Sequence, residues 1–183
     1  TLSFVSRPTN NIKKSVITDI SKVKNEIGDI ISQVSKESQT EIANIRLNVP
    51  LVNSLTSYFD NEISVSNEII SDFHLKKSAN ESEILDPIDK YVVIHRSVIN
   101  YELDQQNNIL DPRGMYGESL KVYFYKLAVR ENYIKTIKTI FEQLNIHIED
   151  FVPSPLSSAL ATLKKDEKEL GSILIDLGAG STS

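Results

Sequence analysis

The residues best suited to chemistry lie near the end of the sequence, in a glycine-rich turn that follows an apolar run. The run Ile173–Leu177 is interrupted only by Asp176 and predicts a buried strand. The two glycines permit a sharp turn that aims backbone N–H groups at a phosphate, and the Asp176 carboxylate can hold Mg²⁺ through its water shell. The candidate phosphate-binding residues are Asp176, Gly178, Ala179, Gly180, Ser181 and Thr182.

Two well-known phosphate loops are excluded for this turn. It lacks the lysine and the spacing of a Walker A loop, and it lacks the third glycine of a Rossmann fingerprint. A plain glycine hairpin between two strands remains the alternative. No catalytic constellation is visible elsewhere in the chain, and we predict no direct metal ligand.

Composition narrows the remaining possibilities. The 183-residue chain has a formal net charge of -5, which gives no electrostatic footprint for nucleic acid. It contains no cysteine, which excludes disulfides and thiolate chemistry. No apolar run reaches the roughly 20 residues that a membrane-spanning helix needs. The three histidines have no metal-ligand spacing, and we expect them to be ordinary core or surface residues.

The elements that must position the turn alternate between helices and strands without a strict βαβ repeat. This order predicts an α/β frame interrupted by a smaller α+β unit. Asp19 or Thr18 is suited to begin an amphipathic helix, and Ser154 with Pro155 is suited to begin another. The predicted strands cover residues 42–49, part of 54–66, 91–103, 120–129 and 146–152, and the other predicted helices cover about 71–79 and 133–144.

Two segments near the C-terminal end of the chain precede the turn, and two polar connections lie earlier in the chain. Leu156, Leu160 and Leu163 are predicted to face inward from the helix that Ser154 begins. Residues 164–169 are predicted to form a charged turn. Residues 80–89 and 104–117 are predicted to be connections without strands, because each is polar and contains proline.

The sequence DLGAGST resembles the second phosphate loop of the actin, Hsp70 and sugar-kinase superfamily, D-[LIM]-G-G-G-T. It departs from that pattern at Ala179 and Ser181. Three further segments resemble the FtsA family: Asp111–Gly117 (DPRGMYG), Phe151–Leu160 (FVPSPLSSAL) and Asp166–Gly171 (DEKELG). They occur in the order of that family.

This resemblance implies a partial actin-like (ribonuclease H-like) subdomain with an inserted SHS2 subdomain, also called 1C. Residues 1–57 and 146–183 are expected to belong to the actin-like subdomain 1A, and residues 58–145 to the insert. Because the chain begins with Thr1 and ends after the turn, we expect it to be part of a longer protein.

The resemblance also implies a function. Proteins of this family link the FtsZ ring to the inner face of the cytoplasmic membrane at the division septum and recruit later division proteins. They bind ATP and Mg²⁺ with weak or no hydrolysis, whereas this chain alone is expected to bind no cofactor. FtsZ and the membrane are expected to bind parts absent here, and other protomers and later division proteins to bind the insert. Candidate partner-binding residues are Arg113, Met115 and Tyr116.

Two alternatives stay open at this point. One is a PilM-like pilus-assembly protein, and the other is an ATPase or sugar kinase of the same superfamily. The DPRGMYG and DEKELG segments favour the FtsA family, and a kinase requires a catalytic carboxylate that the sequence does not show.

Overall fold

The computed structural model describes residues 2–85, 89–178 and 182, with only the backbone of residues 82–85. The chain divides into two compact units. The flanking unit contains residues 1–53 and 131–183, and the insert contains residues 54–130. The sequence predicted an interrupted α/β frame, and the structure has this organisation.

The described residues of the flanking unit form a parallel strand pair, four helices and a small hairpin. The strands β3 and β8 pair in parallel, and β1 pairs with β2. The strands are β1 Ile12–Lys13, β2 Val16–Ile17, β3 Asn44–Val49 and β8 His147–Pro153, and the helices are α1 Ile20–Ser38, α3 Glu131–Glu142, α4 Ser154–Thr162 and α5 Lys165–Leu170.

Local sequence signals define both ends of α1. Asp19 is the N-cap, and its carboxylate accepts a hydrogen bond of 3.1 Å from the backbone N–H of Lys22. The helix ends at Gln39, which has a φ of 52° and so leaves the helical path in the left-handed region. The cap predicted from the sequence at this position is therefore confirmed.

The core of the flanking unit forms where α3 lies against the strand pair and α1. Ile137 and Phe141 of α3 are buried, together with Ile146. Ile27 and Ile31 of α1 pack against this cluster. The apolar stripe of α3 is therefore core packing, as its helical spacing predicts.

The insert is a four-stranded antiparallel sheet with one helix. Its strand order is β4-β7-β5-β6. The elements are β4 Leu55–Ile69, α2 Asp72–Leu85, β5 Tyr91–Leu103, β6 Gln106–Ile109 and β7 Tyr116–Arg130.

The pairing of β4 with β7 joins the two ends of the insert. Leu55, near the start of β4, lies opposite Ala128 near the end of β7. The pairing continues to Ile69 opposite Tyr116, with one irregularity between Ser64 and Glu68. The chain therefore enters and leaves the insert on neighbouring strands.

One face of the insert sheet carries its core. Val122, Phe124 and Leu120 of β7 are buried there, and they cluster with Ile63 and Leu103 of the neighbouring strands. Helix α2 packs on β4, and the side-chain amide of Asn61 on β4 donates to the backbone oxygen of Ser78 on α2 at 3.1 Å. This bond satisfies a buried amide that would otherwise be costly.

Several boundaries differ from the sequence prediction. The insert was placed at residues 58–145, but the compact unit is residues 54–130, because the apolar stripe of α3 packs in the flanking unit. Residues 80–85 continue α2 and residues 106–109 form β6, in segments predicted as connections. Polar composition hid both, since α2 needs only one buried face and β6 is a short edge strand.

The C-terminal helices also differ from the prediction. Ser154 makes no capping bond, because Pro153 is the N-cap of α4 and Ser154 lies inside the helix. The predicted inward stripe is wrong, since α4 has no buried residue and Leu160 is 60% exposed. The predicted charged turn is helix α5, which the Glu167 side chain stabilises by accepting from the backbone N–H of Lys164.

We predict that the Asp19 cap stabilises the chain more strongly when its carboxylate is ionised. The hydrogen bond from the Lys22 backbone lowers the pKa of Asp19 from its usual 3.8. A lowered pKa means that this stabilisation is present above the unfolded-state pKa and is lost as pH falls through the folded-state value. Asp19→Ala should therefore lower the urea midpoint at pH 7 and change it little at pH 2.5.

Asp19→Asn is the matched control for this experiment, because asparagine keeps the cap acceptor without an ionisable group. Its midpoint should lose the pH dependence attributed to Asp19 while staying above that of Asp19→Ala at pH 7. Equal losses for Asp19→Ala at both pH values would contradict the role given to the ionised cap.

Gly117 is predicted to be required by packing. A Cβ at this buried position would lie 2.3 Å from Leu103 Cδ1 and 2.7 Å from Leu103 Cγ. Since Leu103 is itself buried, Gly117→Ala should reduce the free energy of unfolding by about 1–3 kcal/mol in urea titration. The exposed substitution Leu110→Ala is the control, and an unchanged midpoint for Gly117→Ala would refute the packing argument.

Candidate functional site

The apolar run that precedes the glycine-rich turn is more exposed than the sequence predicted. The run Ile173–Leu177 is not a buried strand, since Ile173 is 92% exposed and Leu177 is 79% exposed. Among the residues that the structure describes, its sheet pairing consists of one antiparallel bridge between Leu177 and Thr182. An apolar run becomes a buried strand only when other strands flank it, and β3 and β8 pair with each other instead.

Asp176 is the candidate phosphate-site residue with a defined side-chain contact. Its half-buried carboxylate accepts a hydrogen bond of 2.7 Å from the Ser158 hydroxyl on α4. This bond connects the base of the turn to α4 and fixes one carboxylate oxygen. Gly178 and Thr182 are exposed, and the calls at Ala179, Gly180 and Ser181 lie outside the described residues. Phosphate binding by the turn therefore stays a prediction.

The described residues contain no group of three or more His, Cys, Asp or Glu side chains suited to a metal ion. Of the histidines, His74 is buried and its Nδ1 accepts a 3.2 Å hydrogen bond from the Ser71 backbone N–H at the start of α2. Its Nε2 lies 3.8 Å from Glu68 Oε2. These contacts are those of a residue that stabilises a helix start.

The Asp111–Tyr116 loop is held in one shape by backbone hydrogen bonds. The Gly114 N–H donates to the Ile70 oxygen at 3.0 Å, and the Ile70 N–H donates to the Met115 oxygen at 2.8 Å. The Asp111 carboxylate accepts from the Arg113 N–H at 3.1 Å, which closes a local turn. Gly114 has a φ of 84°, which favours glycine at this position. The loop is therefore a fixed projection joined to the end of β4.

The three partner-binding candidates on this loop have different environments. Arg113 Nε lies 3.2 Å from Asp111 Oδ1 and 3.5 Å from Asp72 Oδ1, with the side chain 55% exposed. Met115 packs against the insert core and so has a structural role. Tyr116 is 68% exposed and is free to meet another molecule.

Sequence reasoning missed two apolar residues beside these candidates. Ile69 lies opposite Tyr116 in the strand pair and is 47% exposed, and Phe73 in the first turn of α2 is 69% exposed. The signal for Ile69 was present, because its neighbour Ile70 is buried and adjacent strand residues face opposite sides. We name Ile69, Phe73, Arg113 and Tyr116 the loop surface.

A second feature that sequence reasoning missed is the face of the insert sheet opposite its core. Lys121 Nζ lies 3.2 Å from Asp60 Oδ2, and the Tyr123 hydroxyl donates to Glu102 Oε2 at 2.6 Å. The Asp60 carboxylate raises the pKa of Lys121, and the bond to Glu102 raises the pKa of Tyr123. The Tyr125 ring packs on Tyr58 at 5.5 Å between centroids. We name this side the open face.

No helix among the described residues is long and apolar enough to span a bilayer.

The insert is similar to a known protein family. The model of the family described as "SHS2 domain inserted in FTSA" matches residues 54–127. These residues coincide closely with the compact insert at 54–130.

Curated relatives match over most of the chain. The cell division protein FtsA of Agrobacterium fabrum is 23% identical over 175 residues, which is 96% of this chain and 40% of that protein. FtsA of Bacillus subtilis is 24% identical, with 96% and 40% covered. FtsA of Helicobacter pylori is 33% identical over 90 residues, with 49% and 18% covered. The chain thus spans about two-fifths of the length of the relatives that it matches throughout.

Among solved structures, a chain of a PilM-PilN type IV pilus biogenesis complex aligns with a TM-score of 0.44 and 11% identity, covering 84% of this chain and 40% of that chain.

The resemblance and fold class that the sequence predicted are both confirmed. The insert match and the mixed α/β architecture support an α/β unit interrupted by an SHS2 α+β domain. The curated relatives carry the name of a cell-division protein, which favours this assignment over the pilus-assembly and sugar-kinase alternatives. Residues 54–127 thus match an SHS2 domain of the kind inserted in FtsA, and the chain as a whole is similar to cell division proteins named FtsA.

Proposed function

We propose that this chain acts in bacterial cell division as part of a protein that links the FtsZ ring to the cytoplasmic membrane and recruits later division proteins. The match of residues 54–127 to the SHS2 domain inserted in FtsA and the names of the curated relatives support this role. Because the chain spans about two-fifths of those relatives, binding to FtsZ and to the membrane is proposed for other parts of the protein. Its proposed location is the inner face of the membrane at the division septum.

The insert is proposed to contribute contacts with other protomers and with later division proteins. The observation that carries this part is the loop surface, on which exposed aromatic and apolar side chains stand beside an arginine on a fixed loop. Aromatic residues and arginine are enriched at protein interfaces and among the side chains that dominate binding energy. A fixed loop also loses little conformational entropy when a partner binds.

ATP and Mg²⁺ are proposed as ligands of the longer protein, with weak or no hydrolysis. The turn around Asp176 supports this proposal, since its carboxylate is oriented by Ser158 at the start of a glycine-rich segment. The backbone N–H groups of such a turn are suited to phosphate, and the Asp176 carboxylate to a hydrated Mg²⁺.

The loop-surface proposal predicts selective loss of partners when Tyr116 or Phe73 is replaced. The immobilised 183-residue chain should enrich division proteins from a lysate of a bacterium that encodes a protein similar to this chain. Tyr116→Ser and Phe73→Ser should each reduce that enrichment by about tenfold, measured by quantitative mass spectrometry, because each removes an exposed aromatic anchor.

Leu170→Ser is the matched control, since Leu170 is equally apolar and 88% exposed but lies in the flanking unit. It should enrich the same proteins as the unchanged chain. Recovery of no division protein above background would reject the proposed role, and equal recovery by all variants would reject the loop surface as the binding site.

A second prediction concerns nucleotide binding by this chain alone. Titration of the chain with ATP and Mg²⁺ in a calorimeter should give no binding heat above dilution. Gly178 and Thr182 are exposed, whereas small-ligand sites bury most of the ligand. A saturable isotherm that Asp176→Ala abolishes would overturn this expectation.

A further inference from the structure

The insert sheet ends on one side with a long strand. In the order β4-β7-β5-β6, β4 pairs with β7, and the described residues place no strand on its other side. An unpaired edge presents a row of backbone N–H and C=O groups to any extended segment that approaches it.

The two long strands beside β7 differ in how their outer edges are protected. Proteins protect such edges with bulges, lysine, proline or short strands. β5 has register irregularities at Val93–His95 and Val98–Asn100, and β6 pairs with its end from Tyr101 to Leu103. By contrast, β4 pairs regularly from Leu55 to Ser64 and has no proline or lysine there. The regular ten-residue stretch is thus the unprotected edge.

The side chains of β4 determine what an added strand would meet. Phe59 and Ile63 point to the core, whereas Tyr58, Asp60 and Glu62 alternate with them on the open face. Tyr58 is 75% exposed. A strand added at this edge would therefore place every second side chain beside a tyrosine and two carboxylates.

Charge selects the kind of strand that fits. Near Glu62, the open face has more carboxylates than cations. A groove of about 460 Å³ at this place is lined by four acidic residues and one lysine. Its lining residues are Glu62, Asn67, Glu102, Asp104, Gln105, Glu118, Ser119 and Lys121. A second copy pairing through its own β4 would bring Asp60 and Glu62 close to like charges, which is destabilising.

We propose that the edge of β4 from Leu55 to Ser64 accepts an extended partner segment that carries lysine or arginine at alternate positions. The segment adds a fifth strand through main-chain hydrogen bonds, and its basic side chains lie beside Asp60 and Glu62. This inference rests on the proposed function, because it gives a partner contact of the insert a location and a chemistry. It places that contact on β4, separate from the loop surface.

The probe for the test is a fluorescent decapeptide of alternating lysine and threonine, which has the required charge pattern and a strand-favouring threonine at every second position. Titration of the full 183-residue chain should give saturable anisotropy. The peptide should slow amide hydrogen exchange at residues 55–64 and leave residues 92–100 unchanged. Asp60→Asn combined with Glu62→Gln should weaken binding by about tenfold, since two charged cross-strand pairs are lost.

Two controls distinguish strand addition from general attraction between charges. The same peptide with every backbone amide N-methylated keeps its charge but has no N–H group to donate along either edge, and it should bind at least about tenfold more weakly. Glu41→Gln combined with Asp89→Asn removes the same charge from exposed positions elsewhere and should leave binding unchanged. Equal binding of both peptides, equal weakening by both double variants, or protection on β5 instead would overturn the proposal.

The outcome is separable from the test of the proposed function. Absence of peptide binding, while the chain still captures division proteins, overturns strand addition and leaves the division role supported. Peptide binding with protection of β4, while no division protein is captured, supports strand addition and removes the division role.

Discussion

The antiparallel pairing of β4 with β7 is the interaction on which the insert depends. It brings Leu55 opposite Ala128, so that the chain enters and leaves the domain on adjacent strands. A domain whose ends are neighbours can interrupt another unit without separating the segments on either side of it. The same pairing makes β7 an inner strand of the sheet, with β4 on one side and β5 on the other. Leu120 and Val122 of β7 are buried.

The residues predicted to bind partners and those predicted to bind phosphate lie in different units of the chain. The insert has its own core and ends in a loop that backbone hydrogen bonds hold in place. The flanking unit has a separate core around Ile137 and Phe141 and carries the glycine-rich turn. The proposed partner contacts and the proposed nucleotide contacts thus depend on different hydrophobic clusters. A change in one core, such as Gly117→Ala, should leave the other intact.

The sequence predicts those elements whose signals are local. The Asp19 cap, the alternation in β7 and the helical stripe of α3 each give the correct element, because backbone and packing preferences agree there. Prediction from the sequence fails where packing against neighbouring elements determines the structure. The apolar run 173–177 predicts a buried strand, but burial requires flanking strands that it does not have here. Exposure of Phe73 likewise depends on tertiary packing, which composition does not contain.

The claim that residues 54–130 fold as a self-contained domain is tested most directly by amide NMR. The spectrum of the full chain should be compared with that of a polypeptide containing only those residues. If the β4–β7 pairing closes the domain, the amide signals of Leu120, Val122 and Phe124 should coincide in both samples, and the shorter polypeptide should unfold cooperatively. Collapsed, poorly dispersed signals from the shorter polypeptide would contradict the account.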